Sequence, residues 1–146
     1  MSFVFLSIGS NIEPEKNIPA CLQLLKKKFP SVKTSPVYET DPVGPAGRHK
    51  FWNLAAQIET SLDRKTLVEE LRKVENELGR RRDPDNKFLP RSIDIDILPQ
   101  TDYQQHAFIM IPLADIAPET EDPETGKTFK GLAEKLEKES VRRVAD

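Results

Sequence analysis

Asp94 and Asp96 stand two residues apart in Ile93-Asp94-Ile95-Asp96-Ile97. On a strand, side chains at i and i+2 share a face, so both carboxylates project together from backbone positions ~6.6–6.8 Å apart. Such a pair converges on one metal ion or on two. Hard oxygen ligands favour magnesium, which takes one or two carboxylates and fills its other positions with water and phosphate oxygens. The plain alternative is the solvent face of a half-exposed strand, but aspartate is depleted in strands and two together need a reason. Upstream, Gly79-Arg80-Arg81-Arg82 and Pro90-Arg91 gather fixed positive charge. Guanidinium groups match phosphate oxygens bidentately; arginines after a helix also complement its dipole, by ~0.3–1 kcal/mol each. Beside Asp94 and Asp96, these arginines complete the parts needed to transfer a phosphoryl-type group. No G-x-x-x-x-G-K-[ST] phosphate loop occurs. Phe51-Trp52-Asn53 puts an aromatic ring and an amide on one strand face, where a flat heterocycle could stack on the first and hydrogen-bond to the second. The default alternative there is a core phenylalanine beside an edge amide. His49 and His106 are isolated, and Cys21 lies on an apolar helix stripe as a small buried hydrophobe.

These residues need elements to position them. Phe3 to Ile8 is an apolar run closed by Gly9-Ser10-Asn11, a buried strand entering a turn. Ile18, Cys21, Leu22 and Leu25 fall at i, i+3, i+4 and i+7, a helix with Lys26-Lys27-Lys28 in its last turn; Pro14 and Pro19 make it either begin late or kink. Val32 to Tyr38 reads as a second strand, Asp41 to Gly47 as a shaped loop, and Phe51 to Thr60 as a third strand. Asp63 caps an amphipathic helix with the stripe Leu67, Leu71, Val74 and Leu78, and Gly79 marks its end. Arg80 to Pro90 is a polar loop, and Ser92 to Leu98 a strand. Phe108 to Ile111 reads as a short strand, Pro112 to Pro118 as a turn or short helix, and Phe129, Leu132, Ala133 and Leu136 as one side of a last helix. Glu137 to Asp146 is expected to fray. The order strand, helix, strand, strand, helix, strand predicts a ferredoxin-like α+β arrangement, an antiparallel sheet with helices packed on it.

The chain's 146 residues are 37% hydrophobic and 32% charged, enough for one domain, residues 1–146, to build a core without staples. A single cysteine excludes a disulfide framework, a Cys-rich zinc site and a cysteine-ligated iron–sulfur cluster, and points to a reducing compartment. The amino-terminal apolar run lacks the basic flank of a signal peptide, and no stretch approaches the ~18–20 apolar residues of a membrane span. A formal net charge of -2 argues against general attraction to nucleic acid.

Taken together the residues resemble the hydroxymethyl-dihydropterin pyrophosphokinases of folate biosynthesis. The resemblance runs through Ser7-Ile8-Gly9-Ser10-Asn11, Ser35-Pro36-Val37-Tyr38-Glu39-Thr40-Asp41-Pro42-Val43-Gly44, Phe51-Trp52-Asn53, Glu75 with Leu78-Gly79-Arg80, Pro90-Arg91-Ser92-Ile93-Asp94-Ile95-Asp96-Ile97-Leu98, and Pro112-Leu113-Ala114-Asp115-Ile116-Ala117-Pro118. It implies a cytoplasmic enzyme that moves the terminal diphosphate of ATP to the hydroxymethyl group of a reduced pterin and releases AMP, with small molecules rather than nucleic acid or membrane as partners. On matching positions it implies that Asp94 and Asp96 hold two magnesium ions, and that Arg80, Arg82 and Arg91 bind the phosphates. Phe51 and Phe108 would sandwich the pterin, Asn53 would bond its edge, Thr40 and Val43 would complete the pocket, and Glu75 would lie near the nucleotide. Two departures touch the nucleotide side. Members usually carry a longer segment after the aspartate strand, with a His-Pro-type motif and an arginine before the stacking phenylalanine; here Ile97 to Ala107 is short, and His106 holds roughly the arginine's place. Where members often have an Arg-Trp pair, Asp83-Pro84-Asp85-Asn86-Lys87-Phe88 stands, with Lys87 and Phe88 as the substitutes for the pair on the nucleotide side. The alternatives are a catalytically weakened pterin- or nucleotide-binding relative and, further off, an RNA-binding ferredoxin-like module, which lacks the aromatic RNP1 pattern.

Overall fold

A computed structural model describes residues 2–40, 51–79, 92–136 and 141–144. β1 (Ser2–Ser10) leads into α1 (Pro14–Lys28), followed by β2 (Ser31–Thr34), β3 (Tyr38–Thr40), β4 (Phe51–Thr60), α2 (Arg64–Glu77) and β5 (Asp94–Leu98). Then come a short 3-10 turn at Tyr103–Gln105, α3 (Ala107–Ile116), α4 (Phe129–Glu134) and β6 (Val141–Arg143). The sheet runs in the order β5-β1-β4-β3-β6, with β2 also on β4, and every pairing is antiparallel. The α+β expectation is met: β1-α1-β2/β3-β4-α2-β5 has the ferredoxin-like connectivity, and β6 extends it at one edge.

Period-two alternation divides the sheet into two faces. Leu6 and Ile8 of β1, Leu54, Ala56 and Ile58 of β4, and Ile93 and Ile95 pack on Ile18, Cys21 and Leu25 of α1 and on Leu67, Leu71 and Val74 of α2. The other face presents Phe5, Ala55 and Leu98 to Ile109, Met110 and Leu113 of α3 and to Phe129 and Leu132 of α4. The result is an α/β/α sandwich in which Asp94 and Asp96, four and two residues before Leu98, belong to the α3 face. Asp63 Oδ1 accepts from Thr66 N at 2.8 Å, closing the first turn of α2 as expected. Gly79 lies just past its end at φ 83, a conformation a side chain would strain.

Four expectations need correction. Of the two alternatives for α1, the late start is overturned: the helix begins at Pro14, where a missing N–H is harmless, and it continues through Pro19, whose lost bond is offset by burial of Ile18, Cys21 and Leu25. The strand read over Val32–Tyr38 is two strands: Pro36 offers no N–H, and Ser35 bridges the break by donating its N–H to Ala55 O and accepting from Ala55 N on Oγ, both at 2.9 Å. Phe108–Ile111 is no strand but the first part of α3, which also absorbs Pro112 to Ile116. That helix is enclosed by the sheet and α4, so it shows no polar stripe, and a short apolar run of this kind reads equally as strand. Finally, Val141–Arg143 does not fray but pairs with Tyr38–Thr40. The expected loops at Asp41–Gly47 and Arg80–Pro90 lie outside the described residues. Among the described residues no helix is long and apolar enough to cross a membrane.

Candidate active site

Register brings the chemistry together. Asp94 of β5 lies opposite Gly9 of β1, Gly9 opposite Asn53 of β4, and Asn53 opposite Tyr38 of β3; one row below, Asp96 faces Ser7, which faces Ala55. With strands ~4.7–4.9 Å apart, the carboxylate strand and the Asn53 backbone are about 10 Å apart on one sheet face. Phe51 shares that face with Asn53 and is half-buried. α3 packs over the same face of β4, with the half-buried Phe108 in its first turn and His106 beside it, ring centroids 5.3 Å apart. The two rings expected to sandwich a heterocycle thus come from the two layers that bound this face.

Asn53 is buried, and its orientation is set by its neighbours. Its Nδ2 donates to Thr40 Oγ1 at 3.0 Å. A Cβ on Gly9 would stand 2.8 Å from Asn53 Oδ1, so only glycine lets the amide lie across β1. Glycine within a strand was the signal for this contact, although the residue types alone assign Gly9 no task. Tyr38 donates its hydroxyl to Asp115 of α3, and burial first, then that bond, pushes its pKa up to about 12.

Glu75 is 1% exposed, and its Oε2 accepts from Ile95 N at 2.8 Å. It therefore grips the outer edge of β5 between the two aspartates, a role the sequence did not reveal. Its charge also reaches Cys21, whose thiol is pushed up to about 12 by its own burial first and by the Glu75 charge second. A cavity of about 800 Å³ opens along this edge, lined by Arg64, Val68, Leu71, Arg72 and Glu75 of α2, by Asp94, Ile95, Asp96 and Ile97, and by Pro99, Gln100 and Thr101. Ser10 Oγ donates to Ser92 O at 2.6 Å, tying the end of β1 to the start of the aspartate segment.

The donor chemistry fits magnesium. Both carboxylates line an open cavity, and among the described residues no group of three or more His, Cys, Asp or Glu forms an all-protein cage. Magnesium suits that arrangement because phosphate oxygens and water complete its shell. Thr40, Phe51, Asn53, Glu75, Asp94, Asp96 and Phe108 are thus placed around one sheet face and its β5 edge. Val43, Arg80, Arg82, Lys87, Phe88 and Arg91 lie outside the described residues.

Comparison with known proteins gives concordant matches. A family model described as 7,8-dihydro-6-hydroxymethylpterin-pyrophosphokinase matches residues 5–118. The 2-amino-4-hydroxy-6-hydroxymethyldihydropteridine pyrophosphokinase of Pseudomonas aeruginosa is 35% identical over 138 residues, covering 83% of this chain and 84% of that protein. Its namesake from Bacillus subtilis is 33% identical over 141 residues, covering 85% and 83%. The Haemophilus influenzae protein of the same name is 31% identical over 134 residues, covering 80% and 82%.

Proposed function

The chain belongs to the 7,8-dihydro-6-hydroxymethylpterin-pyrophosphokinase family, and we propose that its sheet face seats a reduced pterin while the β5 edge seats ATP, with diphosphate passing between them in folate biosynthesis. The observation that carries this division is the single row Asp94–Gly9–Asn53, which sets a carboxylate strand beside a buried amide. The pterin hydroxymethyl oxygen bonds to the β-phosphorus of ATP, the bridging bond to the α-phosphate breaks, AMP leaves, and the hydroxyl proton passes to solvent.

Asp94 and Asp96 would hold magnesium, two ions on the family's pattern. When bound, magnesium neutralises triphosphate charge and keeps the reacting phosphorus in line. Glu75 fixes the strand that carries both ligands, and the cavity between α2 and Pro99–Thr101 receives the nucleoside side. Phe51 and Phe108 stack on the pterin, Asn53 bonds its edge, and Thr40 and Val43 close the pocket. Arg80, Arg82 and Arg91 bind the phosphates, with Lys87 and Phe88 on the nucleotide side. A cytoplasmic, single-domain enzyme acting on small molecules rather than nucleic acid fits the one cysteine and the mild acidic balance.

The test incubates the protein with ATP, magnesium and 6-hydroxymethyl-7,8-dihydropterin and resolves AMP from ADP. AMP formed only with pterin present is the expected result. Pterin binding without AMP would instead indicate a weakened relative, with the short Ile97–Ala107 segment as its cause.

A further inference from the structure

β3 is only three residues long, yet it carries the hydroxyl that orients Asn53. A strand this short, held on one side alone, is prone to local opening. Its other side is covered residue for residue by β6: Tyr38 opposite Arg143, Glu39 opposite Arg142, and Thr40 opposite Val141. Val144 N adds a bond to Val37 O at 2.9 Å. Arg142 Nη2 lies 3.6 Å from Glu39 Oε2, while Glu39 Oε1 accepts from Trp52 Nε1 at 3.4 Å.

We propose that β6 is a positioning element for the pterin site. By clamping β3 it holds the Thr40 hydroxyl in place; that hydroxyl donates to Phe51 O at 3.5 Å, so it accepts from Asn53 Nδ2 and thereby selects which end of the Asn53 amide faces Gly9. A side-chain amide has two nearly isosteric orientations, and only its hydrogen-bond partner distinguishes them. The proposal rests on the pterin reading above, and it ties the carboxyl-terminal strand, which lies beyond the matched residues 5–118, to recognition of one substrate.

The experiment ends the chain after residue 140 and compares it with the unaltered protein in steady-state turnover and in the Asn53 side-chain amide signals of the ligand-free protein. Freeing the ordered pair should raise KM for pterin about tenfold while kcat and KM for ATP stay within about twofold. The Asn53 signals should move as well. An unchanged pterin KM with unmoved Asn53 signals would overturn the proposal, and so would equal losses for both substrates. Should the shortened chain fail to fold, Arg142→Glu and Arg142→Lys decide: the first should weaken pterin alone and the second should restore it, and no difference between them refutes the clamp. If the unaltered protein neither turns over nor binds pterin, the functional reading fails, and the Asn53 signals still judge the clamp.

Discussion

Gly9 shows how a residue without a side chain shapes a site. Its place between Asp94 and Asn53 leaves no room for a methyl, since a Cβ would approach Asn53 Oδ1 to 2.8 Å. Gly9→Ala should cost ~1–3 kcal/mol of stability through overpacking, read by thermal unfolding, and pterin titration should show weakened affinity as the amide is displaced. Phe51→Ala should remove one proposed stacking face, worth ~1–3 kcal/mol for a planar base; calorimetry should show that loss for pterin and almost none for ATP. Equal losses would sink the stacking role. Asp96→Ala should lower kcat by ~10²-fold or more, because phosphates would lose the proposed metal-held position, and retained turnover would refute the metal assignment. Residue types and spacing made Asp94, Asp96, Phe51 and Asn53 legible as candidates, and the shared sheet face on which they lie followed from strand register. Glu75's grip on Ile95 was not legible, because a buried carboxylate on a helix shows its partner only when strand and helix are docked.

At the scale of elements, the segment between β5 and α4 is organised by one carboxylate. Asp122 is fully buried; it accepts from the Tyr103 hydroxyl at 2.5 Å, from Thr125 N at 2.9 Å and from Thr125 Oγ1 at 2.7 Å. Burial pushes its pKa up, but the bonds from Tyr103, Thr125 and Gln104 outweigh burial and hold it at about 2. The unfolded chain therefore takes up the proton first as pH falls. Stability from Asp122 is complete above the ordinary value of 3.8 and is lost as pH drops toward about 2. Asp122→Ala should remove that acid-side slope and cost ~1–3 kcal/mol at neutral pH by stranding the Tyr103 hydroxyl; chemical denaturation across pH reads both, and an unchanged slope would contradict the assignment. Elements with amphipathic period or strict alternation, α2 and β5, were legible in sequence. α3 was not, since a helix enclosed by protein carries apolar residues on every side, and β6 was not, since its partner lies a hundred residues earlier.

For the whole molecule, the ferredoxin-like core followed from element order, whereas the count of six strands did not, because splitting at Pro36 and the late addition of β6 depend on contacts distant in sequence. The two helical layers also differ in what they do: α1 and α2 back the sheet, with α2 also walling the cavity at the β5 edge, while α3 shares a face with the candidate pterin pocket. Cys21 sits in the backing layer, fully buried, with its thiol held far from ionisation. Because the chain has one cysteine, a thiol reagent is a clock for a single event, the lifting of α1 from the sheet. Labelling at pH 8 should proceed only as fast as that opening, independent of reagent concentration once labelling outpaces reclosing. It should be indifferent to pterin if the two layers breathe separately, and slower with pterin if they open as one.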